Sequence, residues 1–193
     1  MSSSVLFMSV SVDGYVAGHN DGPDNPGGDY FPLHDWGLNA EGSHETSGVA
    51  GQMNAEYFQT GAVLSGRRTA EQAGYWGGRH HGVPTFVLSR SGPTSEVAEK
   101  YPAITFLSDG MENAMATAKA AAGDRDVMFH GGAETVRQAL EAGVLDEIQL
   151  HQVPVLLGGG VRLFDVLSAP VELEIVRVID TPQATHLRYR VRH

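Results

Sequence analysis

The stretch "VMFHGGAETVRQALEAG" (residues 127–143) changes its period in the middle. Residues 127–130 are a short apolar run of the kind that forms a buried strand. Two glycines follow, and Ala133, Val136, Ala139 and Leu140 then recur on one helical face until Gly143 stops the segment. A strand that passes through a glycine pair into a helix is one unit of an α/β layered sheet. Working outward, further short apolar runs bounded by Gly, Pro or polar clusters predict strands at 5–12, 62–65, 85–89, 104–107 and 148–157. Helices are predicted at 47–60, where Val49, Met53 and Tyr57 share a face, and at 108–123, with Ser108 or Asp109 as N-cap and Gly123 as stop. The C-terminus differs. "VELEIVRVID" (171–180), the turn "TPQA" and "THLRYRVRH" (185–193) read as an antiparallel hairpin, in which Leu187, Tyr189 and Val191 alternate with His186, Arg188, Arg190 and Arg192. Pro154 predicts an edge or bulge inside the long strand. The expected fold class is α/β: a mixed, mostly parallel sheet flanked by helices, ending in an antiparallel hairpin.

Composition bounds the function. With 193 residues, 41% of them hydrophobic, the chain supports one sizeable core, and a single domain over 1–193 is expected. A formal net charge of −10 argues against a broad surface for nucleic acid or anionic lipid. The absence of cysteine removes disulfides and thiol chemistry and leaves His and carboxylates as metal ligands. "RHHG" (79–82) places its histidines side by side rather than at helical spacing, so no metal site is expected. The start "MSSSVLFMSVSVDG" has no basic n-region, and no run reaches transmembrane length; a cytoplasmic protein is the expectation. The Gly/Asp/Asn/Pro-rich stretch 18–28 is a long loop, a kind that is commonly functional or mobile.

Three strand ends carry phosphate chemistry, at the place where α/β sheets bind ligands. In "SGRRT", Gly66 turns the chain, Arg67 and Arg68 add fixed charge, and Thr69 is expected to cap a short helix running to Trp76. In "VLSRSG", Ser89 and Arg90 pair a hydroxyl with a guanidinium, a combination suited to a phosphate monoester. In "MFHGGAETV", Gly131 and Gly132 bare the backbone amides at a helix N-terminus. Together they suit a dinucleotide with an extra phosphate. The G-x-G-x-x-G fingerprint of an ordinary Rossmann domain is missing.

The ordered set "MSVSVDGYVAG", "LSGRRT", "PTFVLSRS", "MFHGGAETVRQAL" and "LDEIQLHQVPVLLGGGVRLF" covers nearly the whole chain. It resembles the dihydrofolate-reductase-like superfamily, and within it the C-terminal reductase domain of the bifunctional riboflavin-biosynthesis deaminase-reductase. The resemblance implies a three-layer α/β fold, NADPH as cofactor, hydride transfer to a small pterin-like or pyrimidine-like substrate, and a homodimer. By position, Arg67, Arg68, Ser89 and Arg90 would grip the adenosine 2′-phosphate. Gly131, Gly132, Ala133 and Glu134 would follow the pyrophosphate, with the Gly131–Gly132 bond cis as in dihydrofolate reductases. Asp13, Gly14, Val16 and Ala17 would form the loop beside the nicotinamide, and "VLLGGGVRLF" (155–164) would shape a dimer or pocket edge.

Reduction of a C=N or C=O group leaves an atom that needs a proton. The helix carboxylate that binds the pterin in dihydrofolate reductases falls here near Ala50, which argues against dihydrofolate. The glutamate common before the glycine pair in the riboflavin branch is His130 here, which puts phosphoribosylaminouracil in doubt as substrate. Asp13 is the first candidate for substrate orientation or proton relay, against a turn-capping role. His130 is the second, against a packed histidine. His34, Asp35 and Trp36 are candidates for a substrate-pocket wall or lid. The alternative to a reductase is a nucleotide-binding module of the same fold without turnover.

Overall fold

The computed structural model describes residues 2–193. Its main sheet has eight strands in the order β5-β4-β3-β6-β1-β7-β10-β9. These are β1 (Ser4–Ser11), β3 (Ala62–Gly66), β4 (Thr85–Leu88), β5 (Ile104–Leu107), β6 (Val127–His130), β7 (Glu147–Val153), β9 (Leu173–Asp180) and β10 (Thr185–Val191). The two missing numbers, β2 (Tyr15–Ala17) and β8 (Val161–Arg162), pair with each other beside the main sheet. The order has a plain logic. β1 lies between β6 and β7, parallel to both, while β3, β4 and β5 extend the parallel part outward from β6. The hairpin β9–β10 closes the other side antiparallel, β10 pairing with β7.

Strands of a parallel sheet are covered on both faces, so their sequences read as continuous apolar runs. In β1, Val5 and Phe7 face α1 (Gly48–Phe58) with Val63, Met128 and Tyr57. Leu6 and Val10 face the opposite layer, where α4 (Met111–Ala122) and α5 (Ala133–Glu141) supply Met115, Ala118, Val136 and Ala139. Two short helices, α2 (Arg67–Gln72) and α3 (Ser95–Lys100), complete the set. No helix among the described residues is long and apolar enough to cross a membrane.

Several local expectations are corrected. β7 stops at Val153 because Pro154 cannot donate to the ladder; it ends the strand rather than bulging it. α4 starts after Gly110, at φ 96°, and not on an Asp or Ser cap. Gly66 occupies the cap position of α2, so Thr69 lies inside that helix, which ends at Gln72. Beyond it, Tyr75 and Trp76 are left-handed non-glycine residues, at φ 52° and 49°. The Gly131–Gly132 bond is trans, as are all peptide bonds of the described residues.

Candidate active site

The carboxyl ends of β1, β3 and β6 open on a cleft of about 680 Å³. Its floor is glycine because helix and strand meet there without room for a side chain. A Cβ on Gly66 would overlap Thr135 Oγ1, and one on Gly131 would sit 3.1 Å from Thr135 Cβ. Thr69 Oγ1 accepts a hydrogen bond of 3.1 Å from the Gly132 amide, stitching α2 to the start of α5. That is the work of Thr69, in place of the expected cap. At the start of α5 the Thr135 and Val136 amides both meet the Gly132 carbonyl, at 3.0 and 3.1 Å, and Ala133 and Glu134, whose amides precede the first helical bond, line the cleft. The Glu134 carboxylate is tied outward to Arg137 at 2.7 Å, and the Arg137 and Gln138 bonds hold its pKa down to about 2.

Val16, Ala17 and Val161 form the opposite wall. The β2–β8 pair is close enough that a Cβ on Gly160, at φ 119°, would overlap the Ala17 carbonyl. Asp13 anchors this wall from outside. Its carboxylate accepts from Ser11 Oγ at 2.6 Å, from the Leu157 amide at 3.1 Å and from the Gly158 amide at 2.7 Å. The Ser11 bond is the largest cause of its pKa falling to about 2. Asp13 does not line the cleft, and its carboxylate, held ionised by three donors, ties the turn after β1 to the loop at Leu157 and Gly158.

Two imidazoles, His34 and His130, line the cleft with Met8 and Phe31. His130 Nδ1 is buried without a partner. Burial, with a smaller repulsion from His34, pushes its pKa down to about 4, so the ring is neutral near pH 7. His34 is exposed where it borders the cleft. Behind His130 stand the rings of His80 and Trp76, at 5.4 and 5.6 Å. His80 belongs to a closed hydrogen-bond circuit. Tyr57 Oη lies 2.7 Å from His80 Nε2, His80 Nδ1 lies 2.7 Å from His81 Nδ1, and His81 Nε2 lies 3.0 Å from Thr60 Oγ1, which donates to the Tyr57 carbonyl. The adjacent histidines of "RHHG" are thus structural.

Arg68 Nη2 lies 2.8 Å from Asp21 Oδ2 at the cleft edge. Arg67 turns away from the cleft to Ser91 Oγ at 2.8 Å, Ser89 Oγ at 3.4 Å and Glu71 at 2.7 Å. This brings "SGRRT" and "VLSRSG" together beside the cleft, where Arg90 is exposed. Asp35 is exposed outside the cleft. Trp36 also lies outside it, donating to Ser9 Oγ at 2.9 Å and packing on His151 with ring centroids 4.0 Å apart. Of the expected pocket wall, His34 alone faces the cleft.

Sequence reasoning missed Met8, Asp21, Phe31, Gln72 and Thr135. Asp21 had a signal, an acid in a long glycine-rich loop opposite two arginines, but the partner is 47 residues away. The others look like ordinary core or helix residues.

A mixed sheet with this order, its ligand cleft at the ends of the parallel strands and a glycine pair opening α5, defines a dihydrofolate-reductase-like fold. The chain superposes on a dihydrofolate reductase from Enterococcus faecalis complexed with NADP(H), with a TM-score of 0.63 at 13% identity over 99% of this chain and 97% of that one. A candidate riboflavin biosynthesis protein of Shewanella sp. PV-4 gives 0.72 at 20% identity, covering 99% of both chains. The Thermotoga maritima diaminohydroxyphosphoribosylaminopyrimidine deaminase/5-amino-6-(5-phosphoribosylamino)uracil reductase gives 0.62 at 14% identity over 98% of this chain, which spans 56% of that longer one. These likenesses bear on the fold. Residues 4–187 match the RibD C-terminal domain model, and the chain belongs to that family of reductase domains. A relative at 28% identity over 96% of each chain is the uncharacterized protein YwjB of Bacillus subtilis (strain 168).

The residues present fit the phosphates of a dinucleotide. The two residues that open α5 line the cleft beside its glycines, and Arg68 already holds an anion there, the Asp21 carboxylate.

Proposed function

We propose that this protein is an NADPH-dependent reductase that transfers hydride to a small pyrimidine-like or pterin-like heterocycle. The observation that carries the reading is the lining of one cleft, which sets the anion-binding group Arg68 and the start of α5 together with two histidines and the apolar Met8, Val16 and Phe31. Ala133, Glu134, Thr69 and Arg68 would hold the pyrophosphate region, and Val16 and Ala17 would lie along the nicotinamide. Arg67, Ser89 and Arg90 would take the 2′-phosphate, Arg67 leaving its serine partners to do so. NADPH, when bound, supplies the hydride.

The chain's own residues orient the acceptor and manage its proton. At pH 7 His130 is a neutral imidazole that hydrogen-bonds the heteroatom of the acceptor; with its pKa at about 4 it is not a standing reservoir of protons. The proton itself comes from solvent at the cleft, with His130 orienting the acceptor and keeping its own N–H. Met8, Phe31 and Val16 keep the surround apolar, which favours a flat, uncharged ring.

The partner best suited to the remaining surface is a second copy of the chain. The edge strand β9 exposes Ile175 at 67% and Val178 at 53%, next to Tyr189 and Leu187 of β10. An unpaired edge with an apolar face is self-complementary about a two-fold axis.

The testing experiment is a parallel titration with NADPH and NADH, read by the fluorescence of Trp36 and Trp76. The reading expects NADPH to bind at least tenfold more tightly and Arg67→Ala to remove most of that preference. Equal affinities in the intact protein would reject the assignment of the 2′-phosphate site. NADPH binding with no oxidation across pterins, pyrimidinediones and quinones would favour the binding module.

A further inference from the structure

The loop that crosses the mouth of the cleft is held shut by one carboxylate. Residues 18–28 fold back on themselves through Gly18 N–H to Gly27 O at 2.9 Å, and Asp29 N–H bonds His19 O at 2.8 Å just beyond. Gly28, at φ 69°, has no room for a Cβ against the Gly18 and His19 carbonyls. At the tip, Asp21 reaches across to α2. Its Oδ2 accepts from Arg68 at 2.8 Å, its Oδ1 accepts from Gln72 Nε2 and from the Gly27 amide at 2.9 Å each, and its carbonyl accepts from Arg68 at 3.0 Å. The Asp21 side chain is 10% exposed, whereas Arg68 is 63% exposed. The carboxylate is therefore desolvated and fully bonded, while the guanidinium keeps a side open to the cleft.

An aspartate that saturates its acceptors on the arginine of an anion-binding cleft occupies the place of the ligand. We propose that Asp21 is an intrachain competitor for the phosphate that Arg68 receives, so that nucleotide binding and release of the 18–28 loop are one coupled event. This rests on the nucleotide reading above. Phosphate oxygens displace the carboxylate from Arg68, Gln72 and Gly27 lose their acceptor, and the loop tip is freed. The pair lowers resting affinity and makes the loop an affinity-setting element, with Asp21 a specificity-determining residue that never touches the reacting atoms.

The test compares wild type with Asp21→Asn and Asp21→Ala, using NADPH and, separately, inorganic pyrophosphate as probes. Hydrogen exchange of the ligand-free proteins gives an independent readout at the Gly27 amide. Expected are roughly threefold to tenfold tighter binding in both variants, faster exchange at Gly27, and no gain when Asp21→Asn is placed on an Arg68→Ala background. If pyrophosphate binding tightens while no form binds NADPH, the latch stands and the cofactor reading falls. If both probes bind the folded variants with unchanged or weaker affinity, or if the gain survives loss of Arg68, the competitor role is overturned.

Discussion

Acidification from pH 7.5 to 5.5 should remove a large part of this protein's stability, and the reason lies in its histidines. Burial pushes His80 down to about 2 and His130 to about 4, and His151, packed against His186 and Trp36, lies well below 6.5. The folded state keeps these rings neutral, whereas the unfolded chain protonates each near pH 6.5. Below that value the unfolded state binds more protons, so stability is intact above about pH 7 and falls as the pH drops toward the folded-state values. Each ring that stays neutral costs about 1.3 kcal/mol between pH 7.5 and 5.5, and the three together about 4 kcal/mol, a large share of the 5–15 kcal/mol typical of a domain. Carboxylates do not confuse the window: Asp13 and Glu134 have depressed pKa values near 2, and their contribution is lost only below about pH 5. Urea unfolding followed by far-ultraviolet circular dichroism at constant ionic strength reads the effect directly. With a slope of about 2–3 kcal/mol per molar, the midpoint should fall by about 1.3–2 M. A midpoint constant within about 0.3 M would refute the neutral buried state of these rings.

Other substitutions separate packing, chemistry and assembly. Gly160→Ala combines a left-handed φ with overlap on the Ala17 carbonyl, and should lower the melting temperature by roughly 4–8 °C; Gly42→Ala, equally left-handed but in open space, should cost clearly less in the same scan. His130→Ala should reduce turnover at least about tenfold while NADPH affinity changes less than about twofold, which stopped-flow and titration distinguish. A pH–rate profile of the wild type should show no inflection from this ring between pH 6 and 8. Ile175→Asp should convert a dimer to monomer in sedimentation, with the far-ultraviolet spectrum unchanged, because that side chain is exposed on the edge strand.

How much of this was legible in the sequence varied with the range of the interaction. The strands at 62–65, 104–107 and 127–130 agree within a residue because each is a short run rich in apolar and β-branched residues bounded by polar punctuation, the first and last of them buried in the middle of the sheet. The glycine floor was legible for the same local reason. β2 and β8 were not, being three and two residues long and meeting across some 145 positions. The short α3 also escaped notice, although Thr94 caps it through the Val97 amide at 3.3 Å. At the cleft, residues next to a glycine turn were found, and those delivered by a loop or by the first strand were missed. Asp13 illustrates the reverse error: "VDG" marks a turn correctly, but only the returning loop at Leu157 and Gly158 reveals that its carboxylate is already fully engaged.

The position of β1 sets the order in which the molecule can be made. Both of its neighbours in the sheet, residues 127–130 and 147–153, follow it in the chain only after a long intervening stretch, and Asp146 accepts from the Ser4 amide at 2.8 Å across 142 positions. Until residues 127–130 have been made, an apolar strand has neither of its neighbours, and one of its edges stays bare until residues 147–153 follow. Such a topology has high contact order: folding should be slow and largely post-translational, and the nascent chain should depend on holdase chaperones to keep its N-terminal strand from pairing elsewhere.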